Sequence, residues 1–105
     1  MQHPSKKRSD IAALTEAVEK MHGAKAVFLN SQPVHEEFQG KAVWRGTVSL
    51  FDLSGHASAS RCYAWSVPHE GVDRFYAVLQ TPNVDTPEKA VRASIVADHR
   101  AGTNP

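Results

Sequence analysis

Cysteine is almost absent from this sequence, because Cys62 is the only one in 105 residues. A lone thiol excludes an intramolecular disulfide, and it excludes the multi-cysteine metal sites that stabilise many small domains. Long apolar runs are missing as well, since no segment approaches the roughly 20 apolar residues that a membrane-spanning helix needs. Residues 1–8 are polar and basic and lack the apolar core of a signal peptide, so we expect a cytoplasmic protein.

An excess of charge of one sign is also lacking. Twelve lysines and arginines stand against eleven aspartates and glutamates, which gives a formal net charge of +1. Whole-molecule charge therefore predicts neither a polyanionic nor a polycationic partner. The hydrophobic fraction of 41% and the charged fraction of 22% are those of an ordinary globular protein, and a chain of this length forms one domain.

Three segments in the middle of the chain have the composition of β-strands. Residues 41–53, 61–67 and 74–80 are rich in Val, Phe, Trp and Tyr and are separated by turn-forming residues. Residues 24–38 predict a fourth strand at an edge of the sheet. We expect a short strand over residues 26–29, a break over residues 30–33, because Pro33 cannot donate a hydrogen bond to a central ladder, and an edge strand over residues 34–38. In the first long strand the apolar residues change face between Leu50 and Phe51, which predicts a β-bulge or sharp twist near residues 49–51.

Amphipathic helices are predicted on both sides of these strands. Ser9 is a good N-cap for the first helix, and Gly23 is placed to end it. Its apolar stripe consists of Ile11, Leu14, Val18 and Met21. Thr86 as N-cap, Pro87 in the first helical position and Glu88 near the positive end of the helix dipole mark the start of the second helix.

The sequence therefore predicts an α+β fold: an N-terminal helix, an antiparallel meander of three or four strands, and a C-terminal helix. We expect both helices to cover one face of the sheet, with Tyr63 and Trp65 pointing toward them. Residues 1–8 are predicted to be a flexible basic arm, residues 9–100 a single α+β domain, and residues 101–105 a frayed tail.

The apolar side chains of the first long strand point to a protein partner. Trp44, Phe51 and Leu53 cannot all share the helix-covered side with Val48 and Leu50, so we expect some of them to contact another subunit. The resulting hypothesis is a non-catalytic protein-interaction module, an accessory or regulatory protein of a bacterial type that forms a homodimer through its sheet. The alternative is that scattered apolar residues at the surface need no partner.

The chemistry-bearing residues do not form a convincing catalytic or metal site. Asp52, His56 and Cys62 lie around one predicted hairpin, but a thiol inside a strand is most often an inert packing group. Ser54 and His56 stand too close along a tight turn to act as nucleophile and base. The histidines show no helical spacing typical of paired metal ligands. We therefore predict no catalytic residues, no cofactor and no bound metal.

Nucleic-acid binding is the alternative function. The order of the elements over residues 9–100 resembles the double-stranded RNA-binding domain, and Ser54-Gly55-His56 stands in the hairpin where that family also has a loop with Gly and His. The resemblance implies a lysine cluster at the start of the last helix that reaches RNA phosphates. Here the corresponding turn is Thr86-Pro87-Glu88-Lys89, with one lysine and one carboxylate.

A basic surface could arise in this fold in two ways. The arm and the second helix would bring basic residues together, or arginines interleaved with aromatic residues would form a stacking surface on the sheet. The candidate residues are Arg45, Arg61, Arg74, Lys89, Arg92 and Arg100. The competing interpretation is solvated charge of alternating sign, which the net charge near zero favours.

Overall fold

The protein was analysed as a computed structural model that describes the backbone of residues 3–103 and the side chains of residues 11–97, except those of Phe38 and His69. The elements in order are α1 (His3–His22), β1 (Lys25–Phe38), β2 (Lys41–Ser54), β3 (Arg61–His69), β4 (Val72–Leu79) and α2 (Pro87–Thr103). The strands form one antiparallel sheet in the order β1-β2-β3-β4. The predicted helix–meander–helix fold is confirmed, with four strands and β1 at an edge.

The helices extend past the predicted domain boundaries. Helix α1 begins at His3 rather than after Ser9, and α2 continues to Thr103. Pro4 fits the first turn of α1, because N–H groups in the first turn of a helix have no acceptor within the helix and proline loses nothing by lacking one. The lysines that follow are good helix formers. The predicted caps farther along are confirmed: Gly23 has φ of 61°, and the Thr86 hydroxyl accepts a hydrogen bond from the Lys89 amide.

Two tight hairpins set the register of the sheet. Gln39 and Gly40 join β1 to β2, and Glu70 and Gly71 join β3 to β4. Both residues of each loop have positive φ, 53° and 78° in the first and 53° and 81° in the second. Two residues with positive φ form a type I′ turn, whose twist matches that of the strands on either side.

The helices pack on opposite faces of the sheet, so the prediction of one covered face is wrong in this respect. Leu14 and Val18 of α1 pack in a core cluster with Cys62 and Ala64. Tyr63 and Trp65, which point the other way from β3, pack with α2. The second core cluster consists of Val34, Val48, Tyr63, Trp65, Ala90 and Val91. The small side chains of α2 do lie against Tyr63 and Trp65 as expected, but the other face has a helix of its own.

Coverage of both faces also explains the pattern of β2. Every β2 residue from 48 to 53 has a partner in β1, and residues 49–52 pair with β3 without a shift, so the predicted bulge near residues 49–51 is not in β2. The extra residue is Leu29 of β1, which lies between the pairs Phe28–Phe51 and Asn30–Leu50. Leu50 and Phe51 are both apolar simply because each faces a different helix.

The β1–β2 hairpin and the β3–β4 hairpin are joined over only part of their length. Strands β2 and β3 pair only where Ser49, Leu50, Phe51 and Asp52 meet Ala64, Tyr63, Cys62 and Arg61. The β1–β2 hairpin and the β3–β4 hairpin then diverge. We call the gap between Thr47 of β2 and Ser66 of β3 the fork. Neither described helix is long and apolar enough to cross a membrane.

Candidate functional site

The predicted interaction residues lie largely inside the molecule. Phe51 is 0% exposed and Leu53 is 7% exposed, and both pack in the core beneath α1. Trp44 is half-buried, with its ring edge-on to Trp65 at a centroid distance of 5.9 Å. Phe51 and Leu53 are therefore unavailable to a partner, because the face predicted to be open is covered by α1.

The exposed apolar residues lie instead on the outer strand. Val27, Phe28 and Leu29 of β1 are 54%, 37% and 38% exposed, and we call them the β1 apolar segment. Val27 and Phe28 pair with Asp52 and Phe51 and so point to opposite faces of the strand, and Leu29 is the bulged residue that follows them. The Phe28 ring lies edge-on to that of Phe51 at a centroid distance of 5.8 Å and remains partly exposed. The sequence carried a signal for this segment, because it predicted an edge strand with consecutive apolar residues, and an edge strand has no neighbouring strand on one side.

Side chains of α1 cap the backbone at both outer edges of the sheet. The Ala26 N–H of β1 donates to Oε2 of Glu19 at 2.9 Å. Nε2 of His22 donates to the Ala77 carbonyl of β4 at 3.0 Å, since a carbonyl oxygen can only accept. Pro33 lies farther along β1, opposite Thr47, and has no N–H to offer. These features oppose the addition of a further strand to the edges near them.

Three of the predicted nucleic-acid candidates are engaged in ion pairs. Both oxygens of the buried Glu36 accept hydrogen bonds from Arg92, at 2.7 Å from Nε and 3.4 Å from a terminal nitrogen. These hydrogen bonds and the charge of Glu36 raise the pKa of the Arg92 guanidinium. Arg61 pairs with Asp52 at 3.2 Å. The pairing of Arg92 also ties α2 to β1, which gives this residue a structural role.

The last of these pairs lies at the start of α2. Lys89 contacts Asp85 at 2.9 Å, and its hydrogen bond and charge lower the pKa of the Asp85 carboxyl. The positive charge of all three residues is thus compensated locally, which weakens any attraction to phosphates.

The other basic candidates lie on opposite faces of the sheet. The alternation of residues places Arg45 on the α1 face and Arg74 on the α2 face, which is also the face of Arg61. Within the described side chains, neither makes an ion pair. The side chains of Arg100 and of the predicted basic arm lie outside those that the structure describes.

The hairpin residues considered for nucleophilic or metal chemistry point in different directions. Cys62 is fully buried under α1, and burial raises the pKa of its thiol to about 12. Asp52 is paired with Arg61. Nδ1 of His56 accepts hydrogen bonds from the Ser58 and Ala59 amides, and its ring lies edge-on to that of His22 at 6.0 Å. Across the described side chains, no group of three or more potential metal ligands comes together.

The fork contains a cavity that the sequence did not reveal. It has a volume of about 280 Å³ and lies on the α1 face of the sheet. Its walls are hydroxyl-bearing residues of three strands, two aliphatic residues of α1 and one tryptophan of β3. The lining residues are Ile11, Leu14, Ser31, Thr47, Ser49, Trp65 and Ser66. Ser49 is buried and its hydroxyl lies 3.0 Å from that of Ser31. Alternation placed these hydroxyls on one face, but nothing in the sequence indicated where β2 and β3 separate.

Comparison with known proteins adds no family to this description: no protein-family model, no curated protein and no solved structure matches the chain.

Proposed function

We propose that the chain is a non-catalytic protein-interaction module that forms a homodimer through the outer strand of its sheet. The observation that carries the proposal is the β1 apolar segment. Val27, Phe28 and Leu29 are consecutive, apolar and more than one-third exposed, while both faces of the sheet are covered by helices. Contiguous exposed apolar surface is costly in water and typically marks a contact site.

A second copy of the chain is the partner that fits this surface best. The segment contains no charge, and the net charge of +1 produces little repulsion between two copies. A two-fold axis at the segment would place it against itself, as in the isologous interfaces of most homodimers. The bulge at Leu29 and the capped Ala26 amide mean that side-chain packing, rather than a continuous ladder, would hold the two copies together.

Sedimentation equilibrium tests the proposal directly. We expect the mass to rise with concentration from that of one 11.5 kDa chain toward twice that value. Leu29→Lys should return the protein to a monomer, because it places a charge in the apolar contact. Val72→Lys is the matched control, since Val72 is 69% exposed at the far hairpin and should leave association unchanged.

Two outcomes would contradict the proposal. One is a single-chain mass at every concentration, and the other is an equal loss of association in the Leu29 and Val72 variants. RNA binding stays the alternative, and it predicts a gel shift that weakens steeply with salt and depends on Arg45 or Arg74.

A further inference from the structure

The fork leaves two strand edges facing each other without a ladder between them. The Leu53 amide donates to the Ser60 carbonyl, so Leu53, Phe51, Ser49 and Thr47 direct their backbone groups toward the β3 side of β2. The Gln80 amide donates to the Arg61 carbonyl, so alternate residues of β3 face β4.

By the same alternation, Cys62, Ala64 and Ser66 face β2. The last ladder pair in the described part of the chain is Ser49–Ala64. Thr47 and Ser66 therefore present an N–H and a C=O each to the gap.

One side of the fork is closed and the other is open. On the α2 face the ring of Trp44 lies against Trp65. On the α1 face the hydroxyls of Ser31, Ser49 and Ser66 line the cavity, and none of the residues that line it is charged. A charged ligand would lose its hydration there without gaining an opposite charge.

We propose that the fork binds a short, extended, uncharged segment of a partner protein, which enters between β2 and β3. A peptide backbone carries N–H and C=O groups on both of its edges, so it satisfies Thr47 and Ser66 together. Hydroxyl groups can donate or accept, so they accommodate polar side chains of the segment. The volume of about 280 Å³ is at the lower end for ligand pockets, so only a few residues enter.

This inference rests on the proposed interaction role only in taking a protein as the partner. The fork lies apart from the β1 apolar segment, so the two proposals can fail separately. Loss of dimerisation would leave peptide binding in place, and loss of peptide binding would leave the dimer in place.

A neutral blocked peptide, acetyl-Val-Thr-Val-Thr-amide, is the probe, and amide chemical shifts of the labelled protein are the readout. We expect saturating shifts at millimolar peptide, confined to residues around Thr47, Ser49 and Ser66. Ser66→Pro removes the N–H that faces the fork together with the hydroxyl, and should weaken binding about tenfold. Ser66→Ala keeps the backbone donor and should change binding by no more than about threefold.

Thr47→Pro provides an independent test if Ser66→Pro fails to fold. The Thr47 amide also faces the fork, and its loss should weaken binding to a similar extent. The absence of saturating shifts would overturn the proposal, as would equal binding by folded proline and alanine variants. An equal response to glycerol would also overturn it, because it would show a cavity that admits any small polar molecule.

Discussion

The indole ring of Trp44 lies directly over Gly46, two residues farther along the same face of β2. A β-carbon at Gly46 would stand 2.9 Å from Cη2 of Trp44, which is closer than such atoms approach in proteins. From this position the indole meets Trp65 edge-on, and Trp65 stacks on Tyr76 of β4 at 5.4 Å with an interplanar angle of 6°. The absence of a side chain at Gly46 thus allows an aromatic row to extend across the fork.

Gly46→Ala should destabilise the protein even though the backbone at this position does not require glycine. The added methyl group forces the Trp44 ring away from Trp65, and overpacking of this kind typically costs about 1–3 kcal/mol. Urea unfolding followed by tryptophan fluorescence measures the loss. In a Trp44→Leu background the same substitution should cost much less, because the clashing ring is gone. An equal cost in both backgrounds would show that the ring is not the cause.

Cys62 should be unreactive in the native protein and should make stability depend on alkaline pH. Burial raises the pKa of its thiol from an ordinary value of 9.0 to about 12. Between these values the unfolded chain releases the proton and the native chain keeps it. The free energy of unfolding therefore falls as pH rises from about 9 to about 12, by up to about 1.4 kcal/mol per pH unit. Below about pH 9 the thiol is protonated in both states, so its contribution to the free energy of unfolding is fully present.

A thiol reagent and urea titrations between pH 8 and 11 check both parts of this prediction. The reagent should modify Cys62 only at the rate of unfolding or local opening. Cys62→Ala is the control, since tyrosines and lysines also titrate in this range and only the difference in slope belongs to the thiol. Rapid modification of the native protein, or identical slopes in the two proteins, would show that the thiol is not enclosed.

The first hairpin turn offers a stabilising substitution. Gln39 has φ of 53° and precedes Gly40, in a type I′ turn that asparagine fits better than glutamine. Gln39→Asn should raise the free energy of unfolding by about 0.5–1 kcal/mol, and Gly40→Ala should lower it by about 1 kcal/mol or more. Thermal unfolding of the two variants measures these changes. If Gln39→Asn has no effect while Gly40→Ala destabilises, the φ of residue 39 is not the limiting feature.

Local signals along the chain were sufficient to predict the elements and their order. The period of Ile11, Leu14 and Val18 and the cap at Thr86 depend on neighbouring residues, and both led to the right element. Pro33 rightly indicated an edge strand, but the predicted break there is wrong: β1 (Lys25–Phe38) continues through it, because an edge strand needs hydrogen bonds on one side only. The side of the sheet on which each helix packs depends on the path of the connecting loops, which periodicity does not encode. Because α1 was predicted to lie on the same face as α2, the opposite face was predicted to be uncovered, and Phe51 and Leu53 were assigned to it.

The candidate sites were harder to predict than the fold. Val27, Phe28 and Leu29 form an exposed segment because of the bulge at Leu29, and that bulge arises from the register between β1 and β2. The cavity in the fork depends on where β2 and β3 diverge, which reflects the twist of two whole hairpins. Pairing of Arg92 with Glu36 joins residues 56 positions apart, so no local pattern could have removed this arginine from the basic candidates.

The ring of His56 holds the loop between β2 and β3 through two backbone hydrogen bonds. Nδ1 of His56 accepts the Ser58 and Ala59 amides at 3.1 Å and 3.2 Å, so a side chain without an acceptor at this position removes both bonds. His56→Leu should therefore lower the protection of the two amides from hydrogen exchange about fivefold to tenfold. Native-state hydrogen exchange followed by NMR measures the change.

Asparagine at position 56 separates the loss of the acceptor from the loss of the ring. The Asn side-chain oxygen can accept the same amides, so His56→Asn should keep the loop protected. His35→Asn alters a histidine that contacts Glu37 elsewhere on β1 and should change nothing in the loop. An equal loss of protection in His56→Leu and His56→Asn would mean that the ring, through its edge-on contact with His22 at 6.0 Å, orders the loop rather than the Nδ1 acceptor.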